Sequence, residues 1–452
     1  MKLLSVSKFA LIFILSISLI VTAKSQKWKT GVIDWDIISY YAYLPGLIIY
    51  EDLTFNFLDK NPPKGVKIWT ETTPENKKVI KMTSGLAILY APFFLVAHGI
   101  AKLQPHMYEP NGYSMVYSLL LILSDIFYTF LGLVFLRKIL IRYFSDYITA
   151  VTLLCVFFGT NMLYYSMVEV MSHCYLFCLI TMFVYYTIKW NEKPFLHLSI
   201  YLGLLFGLIT LIRPIDIVVI LLFVFYGIHS FNSIKKRIQY LWSLKTNVIL
   251  IGVIGFLVFS IQIAYWKYAT GHYLYWSYTD EGFFWTKPHI IEGLMGFRKG
   301  WYVYSPIMLL ATIGLFLVYK KIPQFSISFI LLFALYTYII FCWWCWWYGG
   351  GLSCRPMIDI YGIMAIGLAS FLTYLNEQKR SAKKNVLSLT VVLFALYGAV
   401  TNIQYVRNSL HYDSMTFTSW RIDFLRFEPQ AGYYESLQTP DYEKAVRTGS
   451  EE

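Results

Sequence analysis

Apolar runs long enough to cross a bilayer recur through most of this chain, and no other feature limits its possible folds so sharply. One is "VSKFALIFILSISLIVTA" from Val6, and another is "LLLILSDIFYTFLGLVFL" from Leu119. A helix needs about 20 apolar residues to cross hydrocarbon, whereas a barrel strand needs about 10. Backbone polar groups in lipid must be satisfied within the protein, so only helices and closed barrels span it. The runs are too long for strands, which leaves a helical bundle. Composition agrees: 57% of the 452 residues are hydrophobic and 14% are charged, against about 25% charged in soluble domains. The expected fold is an all-α polytopic membrane protein.

Eleven spans are expected, near residues 7–23, 115–136, 147–165, 170–188, 196–212, 215–231, 247–266, 303–319, 324–342, 357–374 and 386–404. With the N-terminus inside, the inner segments hold seventeen Lys and Arg, from Lys2 and Lys8 to Lys383 and Lys384. Only three acids accompany them, Asp146, Glu192 and Glu377. The whole formal excess of +12 therefore lies on one side, as the positive-inside rule requires. No nucleic-acid partner is needed to explain it. Residues 1–404 then form a transmembrane domain, with 24–114 as a long first outer loop. Residues 405–452 form a polar outer tail, too short for a sizeable independent domain.

Two segments leave the topology open. Residues 85–102, "GLAILYAPFFLVAHGIAK", are apolar enough for a twelfth span. Counting it would invert every later loop and place the basic clusters outside, so a re-entrant or interfacial helix is expected, in keeping with Pro92 and His98. Residues 1–23 also suit a secretory signal, with Val21 and Ala23 at cleavage-site spacing. An uncleaved anchor is the expectation, and the later topology is the same in both cases. Of the six cysteines, Cys342 and Cys345 read C-x-x-C inside "FCWWCWWYGG". A zinc site would need two more ligands, so buried or interfacial thiols are expected. No internal repeat is evident.

The unusual charges share one expected membrane depth. Asp34 and Asp36, in "GVIDWDIISYYAYLPG", follow the first span. Glu169 and His173 open the fourth span four residues apart, a spacing that stacks them on one helix face. Arg213 and Asp216 sit in "LIRPID", a proline-broken junction, and Gln262 and Lys267 close the seventh span. Arg355 follows the three glycines of "WWYGGGLSCRPMID". Only Asp125 lies well inside a span. Each has an ordinary use: a helix cap, a satisfied bundle histidine, a snorkelling arginine, an interfacial tryptophan. Their convergence at one depth points instead to a polar cavity, because ionisable groups there mark functional sites by default. Arginines fork onto phosphate oxygens, rings suit sugar faces and prenyl chains, and carboxylates serve as general bases or cation ligands. The combination fits a lipid phosphate bearing a polar headgroup.

Several blocks carry a family resemblance: "DWDIISYYAYLP", "YAPFFLVAH", "EVMSHCY", "LIRPID", "QIAYWKYATG…SYTDEGF" with Tyr278, and "WWYGGGLSCRP". In this order, over roughly residues 1–375, the chain resembles the GT-C membrane glycosyltransferases, the group containing protein O-mannosyltransferases and lipid A aminoarabinose transferases. The resemblance implies transfer of one sugar from a polyprenyl-phosphate donor to a lipid, glycan or protein acceptor at the outer membrane face. It implies a bacterial inner-membrane protein with a periplasmic site. It makes Asp34 or Asp36 the base, Asp34 being the expectation as the first acid after the span. Arg213 and Arg355 become candidates for the lipid phosphate, among substrate-binding residues Glu169, His173, Asp216, Gln262, Lys267 and Tyr278. The D-x-D spacing is also found in metal-dependent members, but lipid-monophosphate members commonly work without metal, so no cofactor is expected. Two rival readings are a lipid-linked sugar transporter or flippase and a non-catalytic envelope scaffold. Absence of a repeat and the single-faced charges count against the first. Dispensable first-loop acids would favour the second.

Overall fold

The computed structural model describes residues 5–60 and 62–451; Lys2, counted above among the inner bases, lies outside them. The main helices are α1 (Val6–Ser25), α2 (Trp35–Tyr41), α3 (Gly85–Leu103), α4 (Met115–Tyr143), α5 (Asp146–Phe158), α6 (Ser172–Glu192) and α7 (Leu196–Ile212). They continue as α8 (Lys245–Thr270), α9 (Ile307–Leu315), α10 (Ser326–Phe341), α11 (Tyr361–Glu377), α12 (Ala382–Val406) and α13 (Tyr442–Thr448). Among the described residues the only sheet is an antiparallel hairpin, β1 (Thr70–Thr72) with β2 (Lys78–Ile80). Among the described residues seven helical segments are long and apolar enough to cross a membrane: α1, α3, α4, α8, Pro323–Phe341, Arg355–Glu377 and α12. This is an all-α membrane protein.

Six of the eleven expected spans coincide with these segments, and the seventh segment, α3, falls within the expected first outer loop; the other five expected spans are helical but shorter, less apolar or broken. The third ends at Phe158 and resumes as a short turn, Met162–Tyr165. The sixth is a short stretch, Pro214–Val224, and the eighth is split ahead of Pro306. Local chemistry sets these limits. Ser145 caps α5 by accepting a bond from the Ile148 amide at 3.3 Å. Pro214 supplies no amide and ends α7, holding Arg213 extended at φ −142° and ψ 108°, as a residue before proline must be.

Contacts order the helix ends. α4 and α6 run parallel: Ser124 meets Tyr175, Gly132 packs against Phe177 and Cys178, and Arg142 pairs with Glu192. α7 returns antiparallel to α6, with the Trp190 indole donating to Ser199 at 2.8 Å. One end of the bundle therefore gathers the starts of α4 and α6 and the finish of α7.

Both ends of α3 touch that same end. Gly85 lies so close to Ile212 that a Cβ would sit 2.5 Å from its amide. The Tyr90 hydroxyl donates to Val170 O at 2.8 Å, and His98 Nδ1 lies 2.7 Å from the Tyr117 hydroxyl. This 19-residue helix also meets α4 further along its length, where Phe93 packs on Phe127 and Tyr128. Its exposed flank carries Ile88, Leu95 and Val96. α8 finishes there too, where Gln262 Oε1 accepts from both the amide and the hydroxyl of Ser84 at 2.8 Å.

Candidate functional site

At this bundle end a cavity of about 310 Å³ opens between α2, the start of α6, the Arg213–Ile215 junction and the aromatic loops at 276–283 and 343–349. Asp36, His173, Arg213, Tyr278 and Arg355 line it, together with Tyr40, Lys81, Glu281 and Tyr442.

Asp34 and Asp36 part at the first turn of α2. Asp34 is its N-cap, accepting from the Trp35 amide at 2.8 Å, and is exposed outside the cavity. Trp35 takes a left-handed φ of 47° and stacks on Trp69 away from the site. Asp36 is the acid that enters the cavity, where its Oδ2 accepts from Arg355 Nη2 at 2.7 Å. The carboxylate remains 39% exposed.

Arg355 is carried by the glycine turn. Gly351, at φ 148°, leaves room for the Tyr165 hydroxyl, which would lie 2.3 Å from any Cβ there. Arg355 Nη1 donates to Gly350 O at 3.1 Å and lies 3.6 Å from Glu169 Oε1, while its buried Nε has no partner. Glu169 is in the loop before α6 rather than on it, so its expected stacking with His173 on one helix face does not occur. Burial pushes the Glu169 carboxyl up, and Arg355 opposes that rise. Beneath the turn, buried Lys299 donates to Gly351 O and Tyr412 O. Burial and then the Arg355 charge push its amine down to about 7. Burial likewise pushes the Tyr40 hydroxyl up to about 12.

A second centre sits behind the first. Arg213 Nη1 donates to Asp359 Oδ2 at 2.6 Å, the Tyr336 hydroxyl donates to the same oxygen at 2.7 Å, and His173 Nδ1 lies 2.8 Å from Oδ1. Asp359 is fully buried, and this network fixes both cavity-lining side chains, Arg213 and His173.

Gln262 and Lys267 stand apart, whereas Asp216 is buried beside this second centre, close to the charges of Asp359 and Arg213, with neither carboxylate oxygen hydrogen-bonded. Gln262 is committed to Ser84, and Lys267 donates to Gly271 O at 2.7 Å in the open. The last two share a helix end but lie five residues apart, roughly 140° around it.

Sequence reasoning gave no role to Lys81, Glu281, Lys299, Tyr336 or Tyr442. Lys81 and Glu281 form an ion pair across 200 residues, and nothing in either local sequence marks them. The tail is folded, not loose. Tyr442 in α13 donates to Asp413 at 2.8 Å and receives the Trp347 indole at 3.3 Å, while Trp346 donates to Glu451 at 2.8 Å. All six cysteines are buried free thiols. Among the described residues no group of three or more His, Cys, Asp or Glu is placed to hold a metal ion. No family model matches the chain, and no curated protein matches it.

Proposed function

We propose that this protein is a glycosyltransferase that moves a sugar from a polyprenyl-phosphate donor to an acceptor at the outer membrane face. The observation that carries the reading is a partly exposed carboxylate, Asp36, sharing one aromatic-walled cavity with two guanidinium groups, Arg213 and Arg355. In this scheme Asp36 rather than Asp34 takes the proton from the acceptor hydroxyl as its oxygen bonds to the anomeric carbon. The bond from that carbon to the phosphate oxygen breaks, inverting the centre. The leaving phosphate carries its charge onto the arginines, where fixed donors stabilise it. An incoming phosphate competes with Asp36 for Arg355, so donor binding and release of the base are one event. Cation loading beside Arg355 is disfavoured by charge, and the proposed reaction needs no metal.

The GT-C-like arrangement, eleven spans with α3 as an interfacial helix, and a bacterial inner membrane with a periplasmic site belong to the same proposal. Its test is direct. Purified protein in nanodiscs is given polyprenyl-phosphate hexoses and pentoses with envelope extract as acceptor, and label transfer is followed with and without chelator. Transfer that Asp36→Asn abolishes supports the reading; transfer that Asp36→Asn leaves at the wild-type rate sinks it.

A further inference from the structure

The cavity mouth differs in kind from its floor. Trp276, Tyr278, Phe283 and Trp343 stand around it, with the Lys81–Glu281 ion pair set among them. The wall is stitched from two distant segments. The Phe284 amide donates to Cys342 O at 2.7 Å, and the Trp344 amide donates to Gly282 O at 3.0 Å, on either side of a bridge pairing Phe283 with Trp343. The Phe283 and Trp343 rings lie 4.8 Å apart, and Tyr278 meets Trp343 edge-on at 5.5 Å. The Trp276 indole donates to Glu281 O at 3.1 Å, and the Ser277 hydroxyl donates to Lys81 O at 2.6 Å. Trp276 is 54% exposed, so a ring face is open to whatever arrives from water.

Fixed rings of this kind also occur in membrane-interface belts. A belt turns its rings toward lipid, whereas these rings and the ion pair seated among them line the cavity. Lys81 and Glu281 keep about a quarter of their side chains exposed, at 26% and 22%, and they face the cavity that holds Asp36. Ring faces for C–H surfaces, with a carboxylate and an ammonium for hydroxyls, are what a saccharide needs. A purely apolar acceptor would leave the ion pair without use.

Resting on the glycosyltransferase reading, we infer that this mouth is a saccharide-binding subsite, and that the acceptor presents a sugar ring there while Asp36 and the arginines handle the donor. The test uses the full chain in nanodiscs and saturation-transfer NMR with a panel of free disaccharides, neutral, amino and acidic, with no donor present. At least one should bind. Trp276→Ala and, separately, Glu281→Gln should each weaken it about tenfold, roughly 1.4 kcal/mol, at unchanged melting temperature. Trp242→Ala, an exposed tryptophan outside the cavity, should leave it alone. Failure of the whole panel overturns the inference, as does binding indifferent to Trp276 and Glu281. If the rim variants weaken only a prenyl-phosphate-linked sugar, the rings serve the donor and the acceptor assignment falls. Disaccharide binding with no transfer from any prenyl-phosphate sugar would leave the subsite standing and remove the transferase reading.

Discussion

The two arginines of the cavity are held in opposite ways. Arg213 is matched to a carboxylate with no exposure, whose oxygens are also taken by His173 and Tyr336. Arg355 faces carboxylates that keep 39% and 24% of their surface, and its Nε is unpaired. A saturated buried pair resists rearrangement, because separating it strands a charge. A half-wet pair with a spare donor exchanges partners at little cost. The first arginine is built into the framework and presents an edge; the second is free to trade its carboxylate for a ligand.

The largest expected effect tests the Arg355 side. Asp36→Asn should lower transfer by about 10²–10⁴-fold, the usual loss of a general base. Asp34→Asn should stay within a few-fold, since Asn caps a helix about as well as Asp. Single-turnover rates on both variants decide it, and the reverse result would mean that α2 presents the other acid during reaction.

Stability comes next. Asp359→Ala should destabilise the fold by about 3–5 kcal/mol by stranding Arg213, whereas Asp36→Ala should cost no more than about 1 kcal/mol. Comparable melting losses for the two would erase the distinction between framework and working arginine.

Arg355→Lys should weaken prenyl-phosphate binding about tenfold, because a point charge does not replace a fork. Arg213→Lys should weaken it less and lower the melting temperature more. Titration of a labelled prenyl phosphate into both variants reads the difference.

The smallest effect concerns the support under Arg355. Lys299 is held near 7 in the fold, against an ordinary value of 10.5. Between those values the unfolded chain binds the extra proton, so stability rises with pH above about 7 and is flat below it. The melting temperature should climb by no more than roughly 2 °C from pH 7 to 9, and Lys299→Met should remove the slope.

Much of the fold was legible because apolar length is a strong signal: α1, α4, α8 and α12 sit where the runs placed them. A helix cap was legible as one use open to these acids, and Asp34 takes it, with Asp36 in the first turn. Which acid enters the cavity was not, because that depends on the left-handed Trp35 and the stack it makes with Trp69. Depth alone also misled: Gln262 and Lys267 share a helix end but not a face. Lys81 and Glu281 read as solvated charges until the fold joins them.

The folded tail bears on how the protein comes to work at all. Tyr442 closes one wall of the cavity that Asp36 enters, yet about 400 residues of chain separate them. At about 5–20 residues per second, the acid leaves the ribosome tens of seconds before its enclosure does. A nascent chain already threaded through the bilayer would have its carboxylate in place but no closed chamber around it. The chamber closes only once α13 seats against Trp347.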